Sequence, residues 1–255
     1  GSTTLLMAHG FGCDQNMWRF VLPGLEPDHR LVLFDYVGWG KSRVSAFDAE
    51  RYADLDGYAR DIVEIIEAFD LHDVTLVGHS VSTMTGLLAS LECPERFARH
   101  VMVCPSPCFL DRSPDYRGGF DEEQLEELLA LMDKNLIGWA HYLAPLVLGN
   151  QASTDLVGEL EESFCSTDTL IAKTFARATF FSDLRDRLPL ARHPSLILQS
   201  RHDSLADVEV GRYMHRHMPQ SELAIIEAQG HCLHMTNPEI IVAEIRRATG
   251  AENAR

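Results

Sequence analysis

A serine, an aspartate and a histidine, each just past the end of an apolar run, carry the chemistry legible in this chain. Val74-Thr75-Leu76-Val77 is apolar and β-branched and reads as a buried strand; Gly78-His79-Ser80-Val81-Ser82 follows, and Met84, Leu87, Leu88 and Leu91 recur behind it at helical spacing. Ser80 therefore sits on a strand-to-helix turn. A turn that sharp needs small neighbours two positions to either side, here Gly78 and Ser82, and it leaves the hydroxyl exposed above the sheet edge. The usual form of such an elbow is Gly-x-Ser-x-Gly. This one ends in Ser82, so taken alone it is matched by an ordinary turn that merely needs a small residue.

Two later runs change that balance. Ser195-Leu196-Ile197-Leu198-Gln199 reads as a strand, and the loop Ser200-Arg201-His202-Asp203 after it offers Asp203. Leu223-Ala224-Ile225-Ile226 reads as the next strand, and Glu227-Ala228-Gln229-Gly230-His231 offers His231. Serine, acid and histidine in that order, each at a strand end, are what nucleophilic catalysis needs. A serine hydroxyl is a poor nucleophile at neutral pH, so an imidazole must take its proton during attack and return it to the leaving group. A carboxylate on the far ring nitrogen fixes the tautomer and stabilises the imidazolium. Asp207 and His234 are the alternatives, but each lies deeper in the following segment, which favours Asp203 and His231. Singly, a loop Asp is ordinarily a turn or helix cap and a lone His a polar surface residue; three in the right order argue for more.

The tetrahedral intermediate of such a reaction places negative charge on oxygen, and two preorganised N–H donors stabilise it. Leu5-Leu6-Met7-Ala8 reads as a strand, and the glycine-rich turn His9-Gly10-Phe11-Gly12 can bring a backbone N–H to the serine; the donors are assigned to Phe11 and Val81. By itself that turn is a plain loop. Gly38-Trp39-Gly40-Lys41-Ser42 imitates a phosphate-binding loop, but position 35, where the motif needs glycine, is Asp35. Asp35 to Ser42 reads instead as a tight connection after the strand Leu31-Val32-Leu33-Phe34, closing beside the active-site turn.

The elements that must position these residues divide the chain. Up to residue 107 and again over 188–255, strand and helix patterns alternate, which implies a mostly parallel sheet with right-handed crossovers. Residues 108–187 change character. Asp121 with Gln124 forms a cap signal ahead of Leu125, Leu128, Leu129 and Met132; Leu136 to Leu148, Leu156-Leu160-Phe164 and Leu170 to Phe181 add three helical segments, divided by Pro145, Gly149-Asn150 and Ser166-Thr167. Four helices inserted after a sheet strand make a lid.

Composition narrows the class. With 255 residues and 45% hydrophobic content, the chain can bury a substantial core as one large α/β domain or two smaller units. No apolar run approaches the roughly 20 residues that span a bilayer, and no signal-peptide pattern is visible, so a soluble cytoplasmic protein is expected. The formal charge of −16 repels nucleic-acid phosphates and anionic membrane surfaces, so neither is expected as a partner. The cysteines, at 13, 93, 104, 108, 165 and 232, show no metal-type spacing and read as reduced thiols packed as small apolar side chains. His231-Cys232-Leu233-His234 and His215-Arg216-His217 lack the acidic partner and helical spacing of a hydrolytic zinc site, so no metal or other cofactor is expected.

Taken together, His9-Gly10-Phe11-Gly12, Asp35-x-x-Gly38-x-Gly40-x-Ser42, Gly78-His79-Ser80, Asp203 and His231 resemble the α/β-hydrolase superfamily. Longer blocks, among them Ser106-Pro107-Cys108, Gly118-Gly119-Phe120, Phe164-Cys165-Ser166-Thr167-Asp168, Phe180-Phe181-Ser182-Asp183 and Gly230-His231-Cys232, resemble the RsbQ-like bacterial stress-signalling hydrolases and, more distantly, the plant strigolactone and karrikin receptors. The resemblance implies an α/β-hydrolase fold with an inserted four-helix lid, and Phe120, Trp139, Leu143 and Phe181 as pocket lining. From spacing alone, core packing is the better reading of those four. An apolar pocket with the triad as its polar floor would favour a compact hydrophobic ester or lactone. Two functions follow as expectations: a serine hydrolase working through an acyl-enzyme on Ser80, or a signalling protein that binds or slowly hydrolyses a small ligand and activates a partner phosphatase.

Overall fold

A computed structural model describes residues 3–150 and 152–251. Its sheet is built from β1 (Thr3–Ala8), β2 (His29–Leu33), β3 (Val74–His79), β4 (Phe97–Val103), β5 (Ser195–His202) and β6 (Ser221–Gln229). They lie in the order β2-β1-β3-β4-β5-β6, and every neighbouring pair is parallel. A parallel sheet is covered on both faces, so its inner strands should be continuously apolar rather than alternating. Leu5 to Ala8 and all of Val74 to His79 are buried accordingly. The chain winds one way from β1 to β2 and the other way from β3 onward. The switch therefore falls between β1 and β3, and the crevice above their carboxyl ends is where such sheets bind ligands.

Helices α1 (Leu22–Leu25), α2 (Leu55–Ala68) and α3 (Val81–Glu92) connect the first strands. The Asp54 carboxylate accepts the Asp56 N–H and starts α2, whose Tyr58, Ile62 and Ile66 are buried. Between β4 and β5 stand four helices: α4 (Glu122–Lys134), α5 (Leu136–Leu148), α6 (Thr154–Phe164) and α7 (Thr169–Phe180). Each has its own start signal. Asp121 and Gln124 form a reciprocal capping box on α4, and the side chains of Asn135, Ser153 and Asp168 cap the other three. Pro145 does not divide the segments as its type suggests. Helix α5 runs through it to Leu148, because a proline in the last turn removes one backbone hydrogen bond only, to the exposed His141 turn.

The insertion leaves and rejoins the sheet at one place: Cys108 pairs antiparallel with Asp183, and the Leu184 N–H donates to the Pro107 carbonyl at 2.8 Å. After β5 and β6 come α8 (Val208–His217), α9 (Leu233–Thr236) and α10 (Pro238–Thr249). Among the described residues, no helix is long and apolar enough to cross a membrane.

Candidate active site

Ser80 occupies the turn between β3 and α3 with φ 53° and ψ −122°, a left-handed backbone that a non-glycine residue adopts only at a cost. The turn is held from outside: the Ser80 N–H donates to the Val103 carbonyl at 2.9 Å, and the Ser80 carbonyl accepts from the Thr83 N–H at 3.0 Å and Oγ1 at 2.6 Å. Gly78 is required by close approach, since a Cβ there would lie 2.6 Å from the Ser82 carbonyl oxygen.

The His231 ring lies between the other two groups, with Nε2 2.7 Å from Ser80 Oγ and Nδ1 2.7 Å from Asp203 Oδ2. A carboxylate can only accept, so Nδ1 carries the ring proton and Nε2 is left to accept from the serine hydroxyl. The Asp203 side chain is wholly buried, and its other oxygen accepts the backbone N–H groups of Leu205 at 2.8 Å and Ala206 at 3.1 Å. Helix α5 anchors the histidine loop: the His231 N–H donates to the Val147 carbonyl at 2.6 Å. Gly230, at φ +89°, passes so close that a Cβ would meet the Leu148 carbonyl at 2.4 Å.

The alternatives go elsewhere. The Asp207 carboxylate accepts the Glu209 N–H and caps α8. The His234 ring is buried 4.6 Å from Trp18 and 4.4 Å from His79, and its nitrogens have no partner among the described residues.

At the end of β1, His9 Nε2 accepts the Tyr36 backbone N–H at 3.1 Å, so its proton sits on Nδ1 and is donated to the Gly10 carbonyl at 2.9 Å. Burial, the largest influence, lowers the His9 pKa and favours that neutral ring. The bond to Gly10 orients the Gly10–Phe11 peptide, whose N–H belongs to Phe11. Among the described residues, neither the Phe11 nor the Val81 N–H meets a protein acceptor. Asp35 ties this region to the next loop: its carboxylate accepts Gln15 N and Nε2 at 2.7 and 2.9 Å and Lys41 N at 2.9 Å. Residues 35–42 thus form the tight connection beside the site that the sequence suggests.

A cavity of about 30 Å³ opens on Ser80, room for about two waters. Leu143, Val147, Leu160, Phe164 and Phe180 wall it from the insertion. Of the four side chains expected to line it, Leu143 does. Trp139 lies one layer back, its ring 5.2 Å from Phe164 and 6.0 Å from Phe11. Phe181, the residue after α7 ends, is half-buried under the Arg177 guanidinium at 4.8 Å and stays off the cavity wall, where Phe180 stands instead. Phe120 borders a separate open groove of about 340 Å³ between α4 and α5, divided from the cavity by Leu143 and Leu205, which line both. Leu160 and Phe164, four residues apart on α6, share one helix face, and that spacing in the sequence carries this part of the wall. Nothing local distinguished Phe180 from Phe181.

The Cys104 thiol, the Asp203 carboxylate and the His231 ring offer ligand atoms within 4.8 Å of one another. The carboxylate and ring already bond each other, so an ion there would have to break that contact.

Around the site, neutral imidazoles are packed as core. His79 Nε2 lies 3.0 Å from the His231 carbonyl, and burial first, then the neighbouring imidazoles, pushes His79 well down. The same causes put His234 at about 3 and, away from the site on β4 beside His193 and opposite the start of β5, His100 at about 3. A folded pKa below the unfolded value near 6.5 means that the unfolded chain binds the extra protons. The associated stability is complete above about pH 6.5 and is lost as pH falls toward 3. His234 and His100 together should remove about 4 kcal/mol between pH 7.5 and 5. Urea midpoints at the two pH values measure this, and equal midpoints would contradict it.

A family model described as the alpha/beta hydrolase fold matches residues 3–238. Karrikin insensitive 2 receptor CA of Petunia hybrida is 35% identical over 248 residues, covering 97% of this chain and 92% of that protein. A strigolactone esterase of Arabidopsis thaliana is 33% identical over 249 residues, covering 97% and 92%. Among solved structures, a hydrolase from Oleispira antarctica superposes with a TM-score of 0.96 at 53% identity, over 98% of this chain and 92% of that one.

Proposed function

The chain belongs to the alpha/beta hydrolase family, and from that premise we propose that it is a serine hydrolase cleaving a small apolar ester or lactone through an acyl-enzyme on Ser80. One observation carries this reading: a relay of two 2.7 Å contacts, Asp203 to His231 to Ser80, ends on a strained serine facing an apolar cavity.

Ser80 Oγ attacks the substrate carbonyl carbon while its proton passes to His231 Nε2. The carbonyl oxygen becomes an oxyanion, met by the Phe11 and Val81 N–H groups. Asp203, already hydrogen-bonded to Nδ1–H, stabilises the imidazolium. Collapse of the intermediate breaks the bond to the leaving oxygen, which takes the Nε2 proton. For a lactone, that alcohol stays tethered to the acyl group. A water then attacks the acyl-enzyme with His231 as base, and Ser80 recovers its proton as the acid leaves. The apolar walls favour a compact hydrophobic acyl group over a peptide. A fluorophosphonate probe should add one phosphonyl group to Ser80, read by peptide mass, and abolish ester turnover. Turnover that persists with Ser80 unlabelled would end this reading.

A second reading is favoured by the cavity's size. About 30 Å³ admits no ester until the walls move, so an opening step must precede attack by Ser80. A site gated in that way suits a sensor, and relatives include a protein named as a receptor. The recipient of the signal in this reading is a partner phosphatase. Very slow turnover with ligand-dependent thermal shifts would favour it; fast, saturable turnover favours the metabolic enzyme.

A further inference from the structure

The elbow carries serine where its usual form has glycine, and the hydroxyl makes a contact that glycine could not. Ser82 is fully buried in the first turn of α3, and its Oγ donates to the carbonyl of His9, the residue that opens the Phe11 turn. Tyr36, just beyond β2, brings its hydroxyl to 3.0 Å from Ser82 Oγ and 2.8 Å from Thr85 Oγ1. Running the three protons in one direction, Thr85 to Tyr36 to Ser82 to the His9 carbonyl, gives each of these contacts a donor and an acceptor, with the Thr85 proton turned away from its longer 3.3 Å contact with the Ser82 carbonyl. The Tyr36 backbone N–H holds the His9 ring from the other side. A helix start and two loops are thereby joined by hydrogen bonds, all buried.

Val81, one of the two N–H donors assigned to the oxyanion, immediately precedes Ser82; Phe11, the other, follows His9 by two residues. The Ser82–His9 bond is therefore the shortest hydrogen-bonded link between the two donors outside the chain itself. We infer that Ser82 is a positioning residue: its hydroxyl fixes the separation of the Phe11 and Val81 N–H groups so that both aim at one oxygen. This rests on the hydrolase reading for its catalytic consequence, while the clamp itself is a property of the fold. A glycine at 82 would permit the turn but leave the His9 carbonyl without this donor, and the start of α3 would lose its side-chain hydrogen bond to the Phe11 turn.

A merely structural bond would change stability and leave catalysis alone, so the test reads both. In Ser82→Ala, kcat for a short ester should fall about 10- to 100-fold with KM within about twofold. Inhibition by an alkyl trifluoromethyl ketone, whose adduct with the serine places an oxyanion in the same site, should weaken by a similar factor. Tyr36→Phe, which keeps the Ser82–His9 bond, should lose clearly less. Amide hydrogen exchange over residues 9–13, read by mass spectrometry, should accelerate in Ser82→Ala. Unchanged exchange there overturns the clamp, and unchanged kcat and ketone affinity with faster exchange overturn its positioning role. If the wild-type protein is neither labelled by a fluorophosphonate nor inhibited by the ketone, yet exchange still accelerates in Ser82→Ala, the hydrolase reading fails and the clamp stands.

Discussion

Ser80→Ala should lower kcat/KM for a short p-nitrophenyl ester by about 10⁴-fold or more, to the level that the oxyanion donors and substrate binding supply without a nucleophile. The loss is separable from unfolding. Ser80 is 6% exposed, and its φ of 53° strains an alanine much as it strains the serine, so the fold loses one side-chain hydrogen bond, to His231, and no new strain appears. A melting temperature within a few degrees of wild type, measured beside the kinetics, identifies the loss as chemical. Turnover within about tenfold of wild type would mean that another group attacks the carbonyl, and no other hydroxyl stands within hydrogen-bond reach of His231 Nε2 among the described residues.

Asp203→Asn should cost about 10⁴-fold in kcat for a different reason. Asp203 Oδ1 accepts two backbone N–H groups, so the asparagine amide must place its oxygen there and turn its NH₂ toward His231. An NH₂ group donates, which forces Nδ1 to be the acceptor and moves the ring proton to Nε2, facing Ser80. The general base is then blocked although the geometry is preserved. Asp207→Asn provides the contrast. Asn caps a helix about as well as Asp, so α8 should stay intact and turnover should remain within about twofold. Equal losses at 203 and 207 would contradict the division of labour between these neighbouring carboxylates.

What was legible in the chain and what was not follow from how far each contact reaches. Ser80, Asp203 and His231 were readable because each sits immediately after an apolar run, and parallel strands place their carboxyl ends on one edge. The capping box at Asp121 and Gln124 is a four-residue event and was equally plain. Phe97–Val103 gives no clean strand pattern because Arg99 and His100 interrupt it. His100 is buried because its Nε2 finds Ser90 Oγ at 3.1 Å on a helix that only the tertiary fold brings near. The cavity wall was the least readable part. Whether Phe180 or Phe181 faces Ser80 depends on how α7 is rotated against the sheet, and no local pattern encodes a rotation at a helix end. The hydroxyl chain through Ser82 was hidden for a similar reason: Tyr36 stands 46 positions from it in sequence.

The joint where Cys108 meets Asp183 and Leu184 meets Pro107 has a consequence for how such an enzyme diversifies. Because the excursion departs and returns through adjacent backbone, its two ends impose almost no spacing demand on the sheet beneath. Residues 109–182 can therefore be read as a cassette: a graft of a homologous segment spliced at that seam would re-tailor which acyl groups are accepted while leaving the proton relay largely intact. The graft would have to keep the Val147–His231 and Leu148–Gly230 contacts, the Ser163–Gly12 hydrogen bond and the packing of Phe175 on Tyr58, where cassette meets scaffold.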